Sequence, residues 1–151
     1  MNGKNNYILI TGAGGVLGSE LIRQLIKNGE YQILALDIDK KVFPESLADH
    51  DLIELYDSKE WVENKLPWNK INSVIHCAFA RSSNGRLLSE SLDFTKELLS
   101  QVVKNRVDTF VNISSQSVYG RSQSPLWTEK TPVSPEPPDT FYALTKYASE
   151  L

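Results

Sequence analysis

Tyr7-Ile8-Leu9-Ile10-Thr11-Gly12-Ala13-Gly14-Gly15-Val16-Leu17-Gly18 is the stretch that decides how this 151-residue chain folds. An apolar run of strand length meets a string of glycines, and Leu17, Leu21 and Leu25 then recur every fourth residue beside Ile22 and Ile26, the spacing of a helix with one apolar face. Between a strand and a helix, such a glycine string reads as an anion cradle. Gly12 permits a tight turn, Gly15 lets the backbone approach a pyrophosphate, and Gly18 lets the helix pack closely on the strand. With Gly14, Val16 and Leu17, these residues form the candidate cofactor cradle, where unpaired N–H groups and the positive end of the helix dipole would meet negative charge. The plain alternative is an ordinary glycine-rich turn. Asn28-Gly29 marks the end of the helix.

Further apolar runs follow at Tyr31–Asp37, Leu52–Leu55, Ser73–Cys77 and Thr109–Ser114, alternating with helical stretches at Ser58–Lys65, before Pro67, and Leu87–Asn105. In the longer helix Leu88, Leu92, Leu99 and Val102 line one face, and Phe94 and Leu98 widen it. This alternation predicts an α/β fold, a doubly wound parallel sheet of Rossmann type in the order 3-2-1-4-5, with a dinucleotide at the switch point between strands one and four. Ser122–Pro138 holds five of the seven prolines and is expected to be a loop; Asp139 onward reads as a helix running to Leu151, exposed and prone to fray at that end.

A formal charge of −3 supplies no basic stripe, so nucleic acid is not an expected partner. Cys77 stands alone and the two histidines are too few for the usual zinc ligand sets, which points to a metal-free protein in a reducing compartment. Tyr7–Ile10 is too short for a signal-peptide core or a membrane span, so the expectation is a cytoplasmic protein with no membrane partner.

Asp37 ends the second strand nineteen positions after Gly18, where this fold sets a carboxylate against the adenosine ribose. It would accept bonds from the ribose hydroxyls and repel a 2′-phosphate, favouring NAD over NADP. Asp39 competes for that role, Lys40 and Lys41 weaken the exclusion, and a solvated strand-end acid is the bland reading. In His76-Cys77-Ala78-Phe79-Ala80 the small residues would let the backbone pass close to the dinucleotide, making Ala78, Phe79 and Ala80 candidate contacts. His76 reads more simply as a hydrogen-bonded structural histidine, and Cys77 as a small buried residue. Tyr142-Ala143-Leu144-Thr145-Lys146 sets a phenol and an ammonium one helical turn apart. A neighbouring cation stabilises the phenolate, which makes Tyr142 a usable acid or base.

TGxxGxxG at Thr11–Gly18, Ser114-Ser115-Gln116-Ser117-Val118-Tyr119-Gly120 and the Tyr142/Lys146 pair, in that order, resemble the extended short-chain dehydrogenase/reductase family, the NAD-dependent epimerases and dehydratases that act mainly on nucleotide sugars. The resemblance implies that Tyr142 is the catalytic base, that Lys146 binds the nicotinamide ribose and tunes Tyr142, that Ser115 hydrogen-bonds the reacting hydroxyl, and that NAD accepts the hydride. Glu129 resembles the family's acidic residue before the tyrosine helix. Two local departures stand out: Glu90-Ser91 replaces a customary asparagine, and Glu54 sits where an aspartate near adenine is usual.

Family members are about twice as long. Residues 1–151 are therefore expected to be the NAD-binding domain with the catalytic motifs, the substrate domain lying outside this chain, which would bind NAD without turning over a nucleotide sugar. A homodimer is expected from the family's helix pairing, the broad apolar face of the long helix and an open fifth-strand edge. The competing readings are a reductase of a non-sugar carbonyl and a non-catalytic dinucleotide-binding module.

Overall fold

The computed structural model describes residues 6–81, 84–119, 128, 130–133 and 140–151. Five strands, β1 (Tyr7–Thr11), β2 (Gln32–Leu36), β3 (Ile53–Tyr56), β4 (Ile71–His76) and β5 (Thr109–Asn112), form one parallel sheet in the order β3-β2-β1-β4-β5. The expected strand order is the observed one. Among the described residues five α-helices accompany them, α1 (Val16–Asn28), α2 (Glu45–Ala48), α3 (Ser58–Val62), α4 (Gly85–Lys104) and α5 (Thr140–Ala148), with single 3-10 turns at Lys40–Val42, Trp68–Lys70 and Gln116–Tyr119.

Two compact units emerge. The first comprises residues 1–78 and 101–112 and contains the whole sheet. Ile8, Leu9, Ile10 and Thr11 are all buried, the mark of a central strand covered on both faces. On one face Ile8, Ile10, Ile33, Ala35 and Ile53 pack with Ile22 of α1, Phe43 and Leu47. The α1 helix ends at Gly29, whose left-handed backbone donates to Leu25 O and Ile26 O. Strand β4 is held at its start by Asn72, whose side chain accepts from Tyr7 N (3.2 Å) and whose carbonyl accepts from Asp108 N (3.0 Å).

α3 stops at Val62, three residues short of the expected Lys65. A capping box fixes its start, with Asp57 accepting from Glu60 N and Glu60 accepting from Asp57 N, both at 3.0 Å. Its end is set by Asn64, in the left-handed region at φ 53°, not by Pro67.

The second unit comprises residues 79–100 and 113–151, in which α5 packs on the 3-10 turn at Gln116–Tyr119. Leu88, Thr95 and Leu98 of α4 are buried, whereas Leu99, expected on the core face, is 37% exposed. Thr95 is accommodated in the core stripe because its hydroxyl donates to Ser91 O (2.8 Å). At the end of α5, Ser149 N and Ser149 Oγ donate to Lys146 O at 3.1 and 2.7 Å, and Leu151 beyond it is exposed. Most of the expected loop Ser122–Pro138, including Glu129, lies outside the described residues. Among the described residues no helix is long and apolar enough to cross a membrane.

Candidate functional site

The site is described one unit at a time. In the first, Gly12 turns the chain out of β1 at φ 65°, and a Cβ there would lie 2.7 Å from Ala78 N. Only a residue without a side chain holds this backbone against Ala78. A Cβ on Gly18 would stand 2.2 Å from Gly12 O, so α1 is drawn against the turn itself. Gly14 has backbone on its open side as well, Val42 O lying 2.7 Å from a would-be Cβ. Gly15 is the N-cap of α1, which has no side-chain cap and no acidic residue in its first turn; Val16 and Leu17 follow with exposed side chains. A helix start in this condition presents N–H groups and positive dipole charge with no acid of its own in the first turn.

Asp37 is tied to this cradle. Its Oδ2 accepts from Gly14 N at 2.8 Å and its Oδ1 from Ile38 N at 2.7 Å. Asp39 instead caps the neighbouring 3-10 turn, accepting from Lys41 N at 2.9 Å. Lys40 is paired with Glu60 at 2.7 Å, which holds the Glu60 carboxyl below the usual carboxylate range. Behind the cradle Thr11 Oγ1 and His76 Nδ1 pair at 2.6 Å, both buried, and Ala78 N donates to Thr11 Oγ1 at 3.3 Å. His76 is thus the hydrogen-bonded histidine of the simpler reading. Glu54 stands on β3 with its carboxylate accepting from the Tyr56 hydroxyl (3.0 Å), while Asp57 occupies the strand's carboxyl end. Burial first, then the bond and charge of Glu54, push the Tyr56 phenol up to about 12.

The second unit gathers the acid–base candidates. Tyr142 and Lys146 lie one turn apart on α5. Lys146 is buried, and its Nζ donates to Ile113 O, just past β5, at 2.6 Å. The Phe79 ring touches both: Lys146 Nζ lies 4.1 Å from its centroid, and the Tyr142 ring meets it edge-to-face at 6.1 Å and 81°. Ala80 N donates to Ser91 Oγ at 2.9 Å, and Ser91 Oγ donates to Leu87 O at 2.9 Å. Ser91 therefore holds the Ala80 backbone, while its neighbour Glu90 is engaged with Arg86 in solvent. Ser115 precedes the 3-10 turn at Gln116–Tyr119; its Oγ accepts from Ser117 N and donates to Ser117 Oγ, both at 3.2 Å. Gly120 lies outside the described residues.

The Phe79 and Ser91 contacts were not foreseen. A bulky ring among the small residues of the His76–Ala80 segment was the available signal.

Over residues 8–151 the sequence matches the profile described as the NAD dependent epimerase/dehydratase family. It is 31% identical over 125 residues to ADP-L-glycero-D-manno-heptose-6-epimerase of Pseudomonas aeruginosa, covering 78% of this chain and 37% of that protein. It is 30% identical over 159 residues to the uncharacterized UDP-glucose epimerase YtcB of Bacillus subtilis, covering 95% and 49%. Among solved structures, dTDP-glucose 4,6-dehydratase from Bacillus anthracis in complex with NAD superposes with a TM-score of 0.79 at 22% identity, covering 96% of this chain and 48% of that one. WbmG of Bordetella bronchiseptica in complex with NAD gives a TM-score of 0.79 at 24% identity, covering 99% and 49%. At these identities the structural likeness speaks for the fold, and the chain spans about half or less of each relative's length.

Proposed function

Because this chain belongs to the NAD-dependent epimerase/dehydratase family, we propose that it forms the NAD-binding and proton-transferring portion of an enzyme that epimerises or dehydrates a nucleotide sugar. The observation that carries this is Lys146. A buried ammonium costs stability unless it is hydrogen-bonded, and here one is kept, bonded to Ile113 O, one turn from the phenol it would serve.

The residues of the first unit fit a dinucleotide. A backbone cradle in which a Cβ at Gly12, Gly14 or Gly18 would collide, a helix start without its own acid, and a carboxylate at Asp37 match a pyrophosphate followed by a ribose diol. In this reading Gly12, Gly14, Gly15, Val16, Leu17 and Gly18 hold the pyrophosphate and Asp37 the adenosine ribose. Ala78, Phe79 and Ala80 lie along the dinucleotide, and Tyr142 and Lys146 serve its nicotinamide ribose. When bound, NAD supplies the hydride acceptor. Tyr142 takes the proton from the sugar hydroxyl, Ser115 hydrogen-bonds that hydroxyl, and Lys146 stabilises the phenolate.

Residues 1–151 then act as the cofactor-binding domain. None of the residues named grips the nucleotide of a substrate, and remote contacts supply much of an enzyme's rate, so these 151 residues alone are expected to bind NAD without turnover. The test is NAD titration by calorimetry beside product analysis with UDP- and dTDP-hexoses. Absence of NAD binding overturns the cofactor reading, and measurable epimerase or dehydratase activity overturns the expected inactivity. A homodimer is part of the same proposal, supported by exposed Leu87 and Leu99 on α4 and Phe141 and Leu144 on α5. A strictly monomeric mass in light scattering at high concentration would remove it.

A further inference from the structure

We infer that Phe79 is a positioning residue for the Tyr142 and Lys146 pair, an aromatic wedge that holds the ammonium on its face and the phenol ring beside it. The inference rests on the reading of that pair as the proton-transfer site. The ammonium stands 4.1 Å from the Phe79 centroid, where the negative face of the ring attracts a cation. Ile113 O, at 2.6 Å, takes one of its three N–H directions, so carbonyl and ring both restrain a group carried on a flexible four-carbon stem. The same ring meets Tyr142 at 6.1 Å and 81°, within the range of favourable edge-to-face pairs. One side chain therefore sets the position of both reacting groups.

An independent observation fixes the wedge itself. The next residue, Ala80, donates its N–H to Ser91 Oγ at 2.9 Å, and Ser91 is anchored to Leu87 O at 2.9 Å within α4. The Phe79 backbone is thus pinned to a long helix. Ser91 stands in the stretch where the resemblance led us to expect an asparagine, and its hydroxyl serves as the pin.

The test uses the 151-residue chain and reads the side-chain carbon and proton signals of Lys146, assigned through Lys146→Arg. The ring current should move the Lys146 ε-methylene protons upfield; Phe79→Leu should return them to the range of exposed lysines, and Phe79→Tyr should keep them shifted. NADH affinity by nicotinamide fluorescence should fall about fivefold in Phe79→Leu and stay within about twofold in Phe79→Tyr. If Phe79→Leu does not fold, Ser91→Ala leaves both rings in place and releases the pin, and it should reduce the upfield shift. An unshifted wild-type signal, or one that Phe79→Leu or Ser91→Ala leaves unchanged, overturns the wedge. A shift lost in Phe79→Leu with unchanged NADH affinity overturns its positioning role. A shifted wild-type signal without any NADH binding supports the wedge and instead sinks the reading of the site as a cofactor site.

Discussion

Asp37 offers a perturbation in which two effects separate. Its carboxylate is expected to exclude a 2′-phosphate, and it also ties down the cradle through the 2.8 Å bond from Gly14 N. Asp37→Asn removes the charge and keeps a side-chain oxygen able to accept from Gly14 N; Asp37→Ala removes both. In the wild type NAD should bind at least about tenfold more tightly than NADP, a preference of about 1.4 kcal/mol. Asp37→Asn should bring that ratio near unity. In Asp37→Asn the tether is a neutral hydrogen bond, worth about 1 kcal/mol, so Asp37→Ala should bind NAD roughly fivefold more weakly still than Asp37→Asn. Calorimetric titration of the three proteins with both cofactors measures all six affinities. Equal binding of NAD and NADP by the wild type would refute the exclusion argument, and equal NAD affinities for the Asn and Ala variants would refute the tether.

Gly12→Ala places a side chain at φ 65° with its Cβ 2.7 Å from Ala78 N. Left-handed backbone costs about 1–2 kcal/mol and overpacking about 1–3 more, so the urea midpoint should fall by an amount equivalent to about 2–5 kcal/mol; a loss below about 0.5 kcal/mol would show that the turn relaxes. Tyr142→Phe should leave NAD affinity within about threefold and abolish any turnover, because the ring stays and only the hydroxyl is lost. The Tyr56 phenol, raised from 10.0 to about 12, should appear in an ultraviolet titration as a late transition that Tyr56→Phe removes and Glu54→Gln moves to lower pH. Because the folded value lies above the unfolded one, its contribution to stability is complete below pH 10 and is lost as pH rises through about 12.

What was legible in the sequence is what local chemistry decides. β1 was read to the residue because Gly12 ends it, and the strand order followed from five apolar runs joined by helical stretches. α3 was read too long because Pro67 is the louder signal, although Asn64 takes the left-handed cap first. On α4 the apolar residues sketch a stripe wider than the buried one. Leu99 could not be told from Leu98 by spacing, and Thr95 was passed over because its self-satisfying hydroxyl shows only in the folded helix. The 3-10 turn and short helix between Asp39 and Asp49 went unread, being too brief for any periodicity.

The site divides along the same line. The glycine requirement at Gly12 and the one-turn spacing of Tyr142 and Lys146 are local and could be read. The bond from Gly14 to Asp37, the seat of Ala80 on Ser91 and the ring of Phe79 against Tyr142 join residues far apart in the chain, and no spacing rule announces them. Glu54 was read from the resemblance; the structure places it within β3, with Asp57 following that strand as the N-cap of α3.

The pairing of Thr11 with His76 also bears on how the chain reaches its fold. β1 meets β2 across a short span, Ile8 opposite Ile33, but meets β4 across a long one, Ile8 opposite Ser73. Loop closure therefore favours early zipping of β1, β2 and β3, with β4 docking as the slow, non-local step. Along that second seam the side chains of Thr11 on β1 and His76 on β4 are hydrogen-bonded to each other in the buried centre of the sheet. A strand slipped by one residue would turn His76 to the other face and strand the Thr11 hydroxyl in an apolar interior, a penalty that aliphatic neighbours alone could not impose. The buried polar pair thus proofreads the register of the last strand pairing that closes the centre of the sheet.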